Sequence, residues 1–291
     1  MSRTPPGPKG EPVFGSSRQY ARDPFSFVTH LEEAYGGVSR FDMGPLDTYM
    51  VTDPEEIQRI LVAESDRFGK PAFQDDALGD LLGDGLLLSD GETWQQQRRL
   101  AQPAFDMSRL SGMADRIVDH TESLLDGWED GQSIDAEQEM TTVTIDVILD
   151  LMMGVELPRE RLEHVREQLE PLGMRFEPNP IRFALPAWVP MPGDAEFDDA
   201  VVELERVIDE IVARRRDDIG EAGDPEAPMD FLSILMRARE QGEQTDGQLR
   251  DEMMTMLLAG HDTTALTLTY TWYLLSEHPE VERRIHEEVD E

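Results

Sequence analysis

Cysteine does not occur in this 291-residue sequence. Disulfides, a thiolate nucleophile and a thiolate metal ligand are therefore excluded from these residues. Lysine is nearly missing as well: Lys9 and Lys70 stand alone, and arginine supplies the rest of the basic charge. Against 26 basic side chains there are 62 acidic ones, a formal net charge of -36. Such a field repels phosphate backbones and anionic membrane surfaces, so no nucleic-acid partner is expected. No run reaches the ~18 consecutive apolar residues that a membrane span needs. The opening MSRTPPGPKGEPVFG has no apolar centre and is not a signal peptide. A soluble, cytoplasmic protein is expected.

High charge with modest hydrophobicity can signal disorder. Here the apolar residues instead recur at helical spacing between caps and turns, as a folded chain requires. Concentrated salt accounts better for the composition. At about 1 M salt the Debye length falls to about 3 Å, which screens the self-repulsion of an acidic surface. The lysine depletion that accompanies the acidity favours this halophilic, haloarchaeal-like reading over an ordinary acidic protein.

Residues 1–15 read as a proline-rich arm, since Pro5, Pro6, Pro8 and Pro12 block a helix. A short helix is expected over Phe25–Ala34, and a hairpin from Val38–Met43 and Leu46–Thr52 about Gly44-Pro45. Asp53 should cap a helix with Pro54 at its first position, Glu56 completing a capping box and Ile57, Ile60 and Leu61 forming a buried face. Residues 68–90 suggest loop with short helical turns. Helices follow over Gly91–Phe105, Arg109–Trp128 and Glu137–Met153. Seven prolines break residues 157–194 into short pieces. Ala195–Ile219 is a long amphipathic helix with Val201, Leu204, Val207, Ile208 and Ile211 on one face. Gly220–Pro228 reads as an acidic linker. Phe231–Glu240 is helical, a long helix runs from Thr245 or Asp246 to Glu277, and Pro279 opens another. The fold class is mainly α with a small β-sheet near the N-terminus, in one domain over residues 1–291.

Two segments carry chemistry. In LLAGHDTTALT, residues 257–267, Gly260 costs a helix about 1 kcal/mol relative to alanine, which usually marks a close approach by another group. Thr263 can turn its hydroxyl back to the carbonyl of Ala259 and loosen the ladder. Ala259, Gly260 and Thr263 would form a shallow groove beside the carboxylate of Asp262, and an acid–hydroxyl pair can relay protons through water. The plainer alternative is a threonine-rich buried helix whose glycine eases packing against a neighbour. In GETWQQQRRLAQPAF, residues 91–105, Trp94 and Arg98 stand four apart and project from one face. An indole N–H beside a guanidinium makes a carboxylate clamp. A core tryptophan and a surface arginine are the alternative there.

AGHDTT resembles the oxygen-activating motif of the cytochrome P-450 family, and the Trp94–Arg98 segment, upstream of it in the family's order, resembles the family helix that binds a haem propionate. PPGPKGEPVFG, LPAWVPMPGDAEFDDAV, DFLSILMRARE and TWYLLSEHPEVERRIHEEVDE are similar to further family segments, so the likeness covers most of the chain. The resemblance implies a cytochrome P-450-like fold, incomplete at its C-terminal end, around haem b. By it, Thr263 would hydrogen-bond the bound oxygen, Asp262 would assist proton delivery, Ala259 and Gly260 would leave room for dioxygen, and Thr264 would lie beside the cofactor. Trp94 and Arg98 would hold the propionate. It further implies a monooxygenase that inserts one atom of dioxygen into a small apolar organic substrate. The pocket would be lined by residues 68–88, 173–188 and 253–258. Without a dinucleotide or Walker fingerprint, electrons would come from a ferredoxin or reductase. The family's iron ligand is a cysteine thiolate. No residue here replaces it, His261 included, so no metal ligand is assigned and these residues alone would not turn over. The rival reading is a non-catalytic helical binding protein that keeps the scaffold without iron.

Overall fold

The computed structural model describes residues 4–70, 78–107, 111–175, 189–216 and 229–290. The chain divides into two compact units, residues 1–76 with 173–195 and residues 77–172 with 196–291.

In the first unit the proline arm lies along a hairpin. Strands β1 (Val38–Met43) and β2 (Leu46–Val51) pair antiparallel from Val38↔Val51 to Met43↔Leu46. Arg40 N donates to Pro6 O at 2.9 Å, and Gly15 bridges Met43. Helices α1 (Ser17–Arg22) and α2 (Pro24–Tyr35) follow the arm, and α2 is capped by the Asp23 carboxylate. Phe27, Leu31 and Phe41 form a small core, the two rings edge-to-face at 5.3 Å.

Asp53 caps α3 (Pro54–Gln58) by accepting from the N–H groups of Glu55 and Glu56. Two expectations for this helix fail. Glu56 does not close a capping box: the Asp53 N–H is already spent on Gly37 O at 3.2 Å, and Glu56 reaches Arg59 instead. Nor is there a buried face, because Ile57 and Leu61 are exposed and Ile60 is half-buried. The chain leaves α-helix after five residues for a π-helical turn over Arg59–Ala63. The wider turn breaks the i, i+3, i+4 alignment that a single apolar stripe depends on.

The regular elements described in the second unit are all helices. Residues 78–82 form a short helix that buries Leu78, Leu81 and Leu82. Next come α4 (Gly91–Ala101), continued by a 3₁₀ turn through Pro103, then α5 (Ala114–Asp126) and α6 (Ala136–Met153). Asp135 caps α6, and Gly154 ends it in the left-handed conformation, φ +65°. Helix α7 (Arg159–Leu169) occupies part of the proline-broken region, and α8 spans Asp194–Arg215. Residues 217–228, which hold the end of the expected Ala195–Ile219 helix and the whole expected acidic linker Gly220–Pro228, lie outside the described residues, as do residues 71–77 and 176–188 of the expected pocket walls. Helix α9 (Phe231–Glu240) precedes α10 (Asp246–Glu277), which opens on a capping box between Thr245 and Gln248, and α11 (Pro279–Val289) follows. One core gathers Ile145, Leu149 and Met153 of α6, Leu204 and Ile208 of α8, Phe231 and Leu235 of α9, and Met253 and Leu257 of α10.

Candidate active site

Helix α10 changes environment along its length. Leu249, Met253, Met254 and Leu257 of its first half are buried, whereas Leu266, Tyr270, Trp272, Tyr273 and Leu274 of its second half are exposed. The Ala259–Thr264 segment sits where the helix leaves the core. Ala259, Asp262, Thr263 and Thr264 are exposed, Gly260 is half-buried and His261 is buried. Met253, Met254 and Leu257, expected among the pocket-lining residues, are buried in the one core cluster that also holds residues of α6, α8 and α9.

Around this exit several side chains bond to backbone carbonyls of the helix. Thr263 Oγ1 donates to Ala259 O at 3.2 Å. His261 Nδ1 lies 2.7 Å from Leu257 O, so that nitrogen carries the proton. Burial pushes the His261 pKa down, against the smaller opposing pulls of the Leu257 carbonyl and the Asp262 charge, which keeps the ring neutral near pH 7. Helix α6 meets the segment from behind. Thr144 Oγ1 comes to 3.3 Å from His261 O, although its one proton is also within reach of Met140 O and Thr141 O. Where a Cβ on Gly260 would lie, the Ile148 side chain already stands: it would overlap Cδ1 and be 2.6 Å from Cγ1. The close approach that the glycine suggested is therefore made by α6.

Trp94 and Arg98 share the exposed side of α4, the indole 41% accessible. Arg98 has no carboxylate partner among the described residues. The buried Gln97 between them fixes the helix: its Nε2 donates to Asp84 O at 2.8 Å, and its Oε1 accepts from Ser89 Oγ at 3.0 Å. Asp84 N in turn donates to Asp251 Oδ2 of α10 at 2.9 Å. Gly83 (φ +46°) and Gly85 permit this clasp, because a Cβ on either would overlap Asp251 or Thr255. The clasp thus ties α4 to the buried half of α10. Among the described residues, no hydrogen bond or ion pair links Trp94 or Arg98 directly to residues 259–264.

Sequence reasoning missed Gln97, Asp251, Thr144, Ile148 and Glu252. Glu252 is 2% exposed, accepts from the Leu86 N–H, and has its Oε1 unpartnered among the described residues. Burial pushes its pKa up to about 7, with a small further rise from Asp251, and the Leu86 bond pulls the other way. The i, i+4 pattern across Glu252–Met256 does put Glu252 on the inner face, but an acid there carries no motif of its own. A cleft of about 670 Å³, lined by Arg116, Asp150, Gly154, Arg215 and Asp230 among others, shares no residue with either segment. Its charged walls are largely paired already, Arg116 with Asp150 and Arg215 with Asp230, so it offers a ligand little.

A relative described as cyclooctat-9-en-7-ol 5-monooxygenase, from Streptomyces melanosporofaciens, is 30% identical over 98% of this chain and 61% of its own length. Pentalenene oxygenase of Streptomyces avermitilis is 27% identical over 97% of this chain and 62% of its own. The chain thus spans about three-fifths of the length of the curated relatives it matches. The crystal structure of the cytochrome P450DA heme domain superposes with a TM-score of 0.78 at 25% identity, covering 100% of this chain and 64% of that one. A sequence model of the cytochrome P450 family matches residues 5–291, and the chain belongs to that family.

Proposed function

We propose that the full-length protein is a haem-dependent monooxygenase that inserts one atom of dioxygen into a small apolar organic substrate, with electrons from a ferredoxin or reductase. The observation that carries the reading is the exposed Ala259–Thr264 segment at the point where α10 leaves the core, with Thr263 bonded back to Ala259. The names of the Streptomyces relatives support the reaction class.

The residues present suit a haem on two counts. Ala259, Thr263, Leu266 and Tyr270 recur at helical spacing along the exposed part of α10, small where a flat group would press closest and apolar beyond. Trp94 and Arg98 offer an N–H and a guanidinium without a carboxylate partner among the described residues for the propionates. The thiolate is a different matter: the sequence has no cysteine, so the proposal places the iron ligand outside these 291 residues. These residues alone would then be inactive. Bound haem supplies the activation of dioxygen.

What this chain adds is a route for protons. The Thr263 hydroxyl donates to Ala259 O and keeps its lone pairs free to accept. Asp262, exposed and without a hydrogen-bond partner among the described residues, can take a proton from solvent and pass it by water to the Thr263 oxygen. His261 is not on this route, because it is buried, neutral and bonded to Leu257 O.

The test is the absorbance of the full-length protein, folded in multimolar salt, reduced and exposed to carbon monoxide. A strongly red-shifted Soret band is expected, and joint replacement of Trp94 and Arg98 by alanine should weaken haem uptake. Wild-type protein with no haem band would sink the proposal and leave a helical binding protein built on the same scaffold.

A further inference from the structure

Helix α6 presents a ridge at four-residue spacing to the back of the Ala259–Thr264 segment. Met140 shares a small buried cluster with Ala265, Thr144 reaches the His261 carbonyl, and Ile148 fills the side-chain space of Gly260. Contacts ascend α6 as they descend α10, so the two helices run antiparallel there. We infer that Ile148 is a positioning residue that sets the depth of the α10 wall, and with it the placement of Asp262 and Thr263, by seating its side chain in the notch left by Gly260. The inference rests on the monooxygenase reading above.

The seat is tight on one side only. Ordinary carbon contacts lie at about 3.5–4.0 Å. A Cβ at position 260 would overlap Ile148 Cδ1 and be 2.6 Å from Cγ1, so about 1 Å would have to be made up by turning the Ile148 side chain off its seat or by moving one helix away from the other. The Ile148 Cβ, however, stands 3.8 Å from that point, an ordinary contact. Gly260 with isoleucine and alanine at 260 with alanine at 148 are therefore two alternative fillings of one space. Asp262 and Thr263 lie within one turn of Gly260, and any displacement of the backbone at 260 is carried to them. Misplacing reacting groups by about 1 Å can cost up to about 10²-fold.

The test is a size swap in the full-length, haem-loaded protein: Gly260→Ala, Ile148→Ala and the double variant. Two readouts are taken, the C–O stretching frequency of the reduced carbon monoxide complex and the yield of product per electron pair consumed. Gly260→Ala should shift the C–O band and lower the product yield about tenfold or more, the missing electrons appearing as peroxide, with KM for substrate changed less than about threefold. The double variant should return both readouts toward wild type. Rescue by a truncation at 148, where a truncation elsewhere in the core would add damage, assigns the effect to this one space, and the C–O band reads placement at the haem site, which a loss of stability alone does not shift. If Ile148→Ala alone fails to fold, Gly260→Ala against the double variant reads the same rescue. A double variant no better than Gly260→Ala, or a Gly260→Ala protein with unchanged band and yield, overturns the inference while the wild-type Soret band still upholds the parent reading. A wild-type protein without that band overturns both.

Discussion

Replacing Glu252 by glutamine should change how the stability of this protein depends on pH, by an amount the structure sets. The Glu252 carboxyl is buried beneath the 82–90 loop, with a pKa of about 7 against 4.5 when unburied. Below pH 4.5 both the folded and unfolded chains hold the proton, and no stability is lost. Between pH 4.5 and 7 the unfolded chain releases it while the folded chain does not, so stability falls as pH rises. Above pH 7 both are ionised and the full cost is present. At about 1.4 kcal/mol per tenfold change in proton affinity, that cost is on the order of 3 kcal/mol, most of which falls between pH 5 and pH 8.5. Glutamine is neutral throughout and still offers a carbonyl oxygen to the Leu86 N–H. Any cost of its extra buried N–H₂ is the same at every pH. The assay is urea unfolding of wild type and Glu252→Gln at fixed high salt from pH 5 to 8.5. Other carboxylates such as the half-buried Glu203, held at about 2 by Arg206 and His164, titrate alike in both proteins and cancel. The difference in unfolding free energy should move toward the variant by about 2–3 kcal/mol over that range. Parallel curves would refute the assignment of a buried, protonated Glu252.

Gly154→Ala should cost about 1–2 kcal/mol, since φ is +65° at the end of α6 and a Cβ there would meet the Arg215 guanidinium at 2.6 Å; thermal unfolding checks it, and an unchanged midpoint would remove the argument. With a net charge of -36, the melting temperature should climb steadily from 0.1 M to multimolar potassium chloride as repulsion is screened, whereas a flat profile would count against adaptation to salt.

Much of the helical plan was legible because it is local. Phe231–Glu240 and the long helix from Thr245 are bounded by caps that short-range chemistry specifies, Asp230 accepting from Ser233 N and Thr245 pairing with Gln248. The hairpin about Gly44-Pro45 was legible for the same reason, as were the two motif segments: Thr263 bonds to Ala259 as its spacing alone suggests. Where the neighbour is distant in sequence, pattern gave out. The apolar residues of α3 at helical spacing implied a buried face, yet burial requires a partner surface and an unbroken helix, and α3 passes into a π turn. Met253 and Leu257 are buried, and sequence cannot say against what, because an apolar residue reads the same whether it faces a ligand or a core.

The sequence by itself determined the class of fold, the family and the acidic surface, since these follow from periodicity, motif order and composition. Only the tertiary structure decided what stands behind each motif. It put Ile148 into the notch of Gly260, 112 residues earlier in the chain, and hung Trp94 and Arg98 from α10 through Gln97, Asp84 and Asp251. It also sealed Glu252 away from water so that its proton affinity rose. Contacts of that kind depend on which surfaces meet when the helices pack, and no local rule of spacing encodes them.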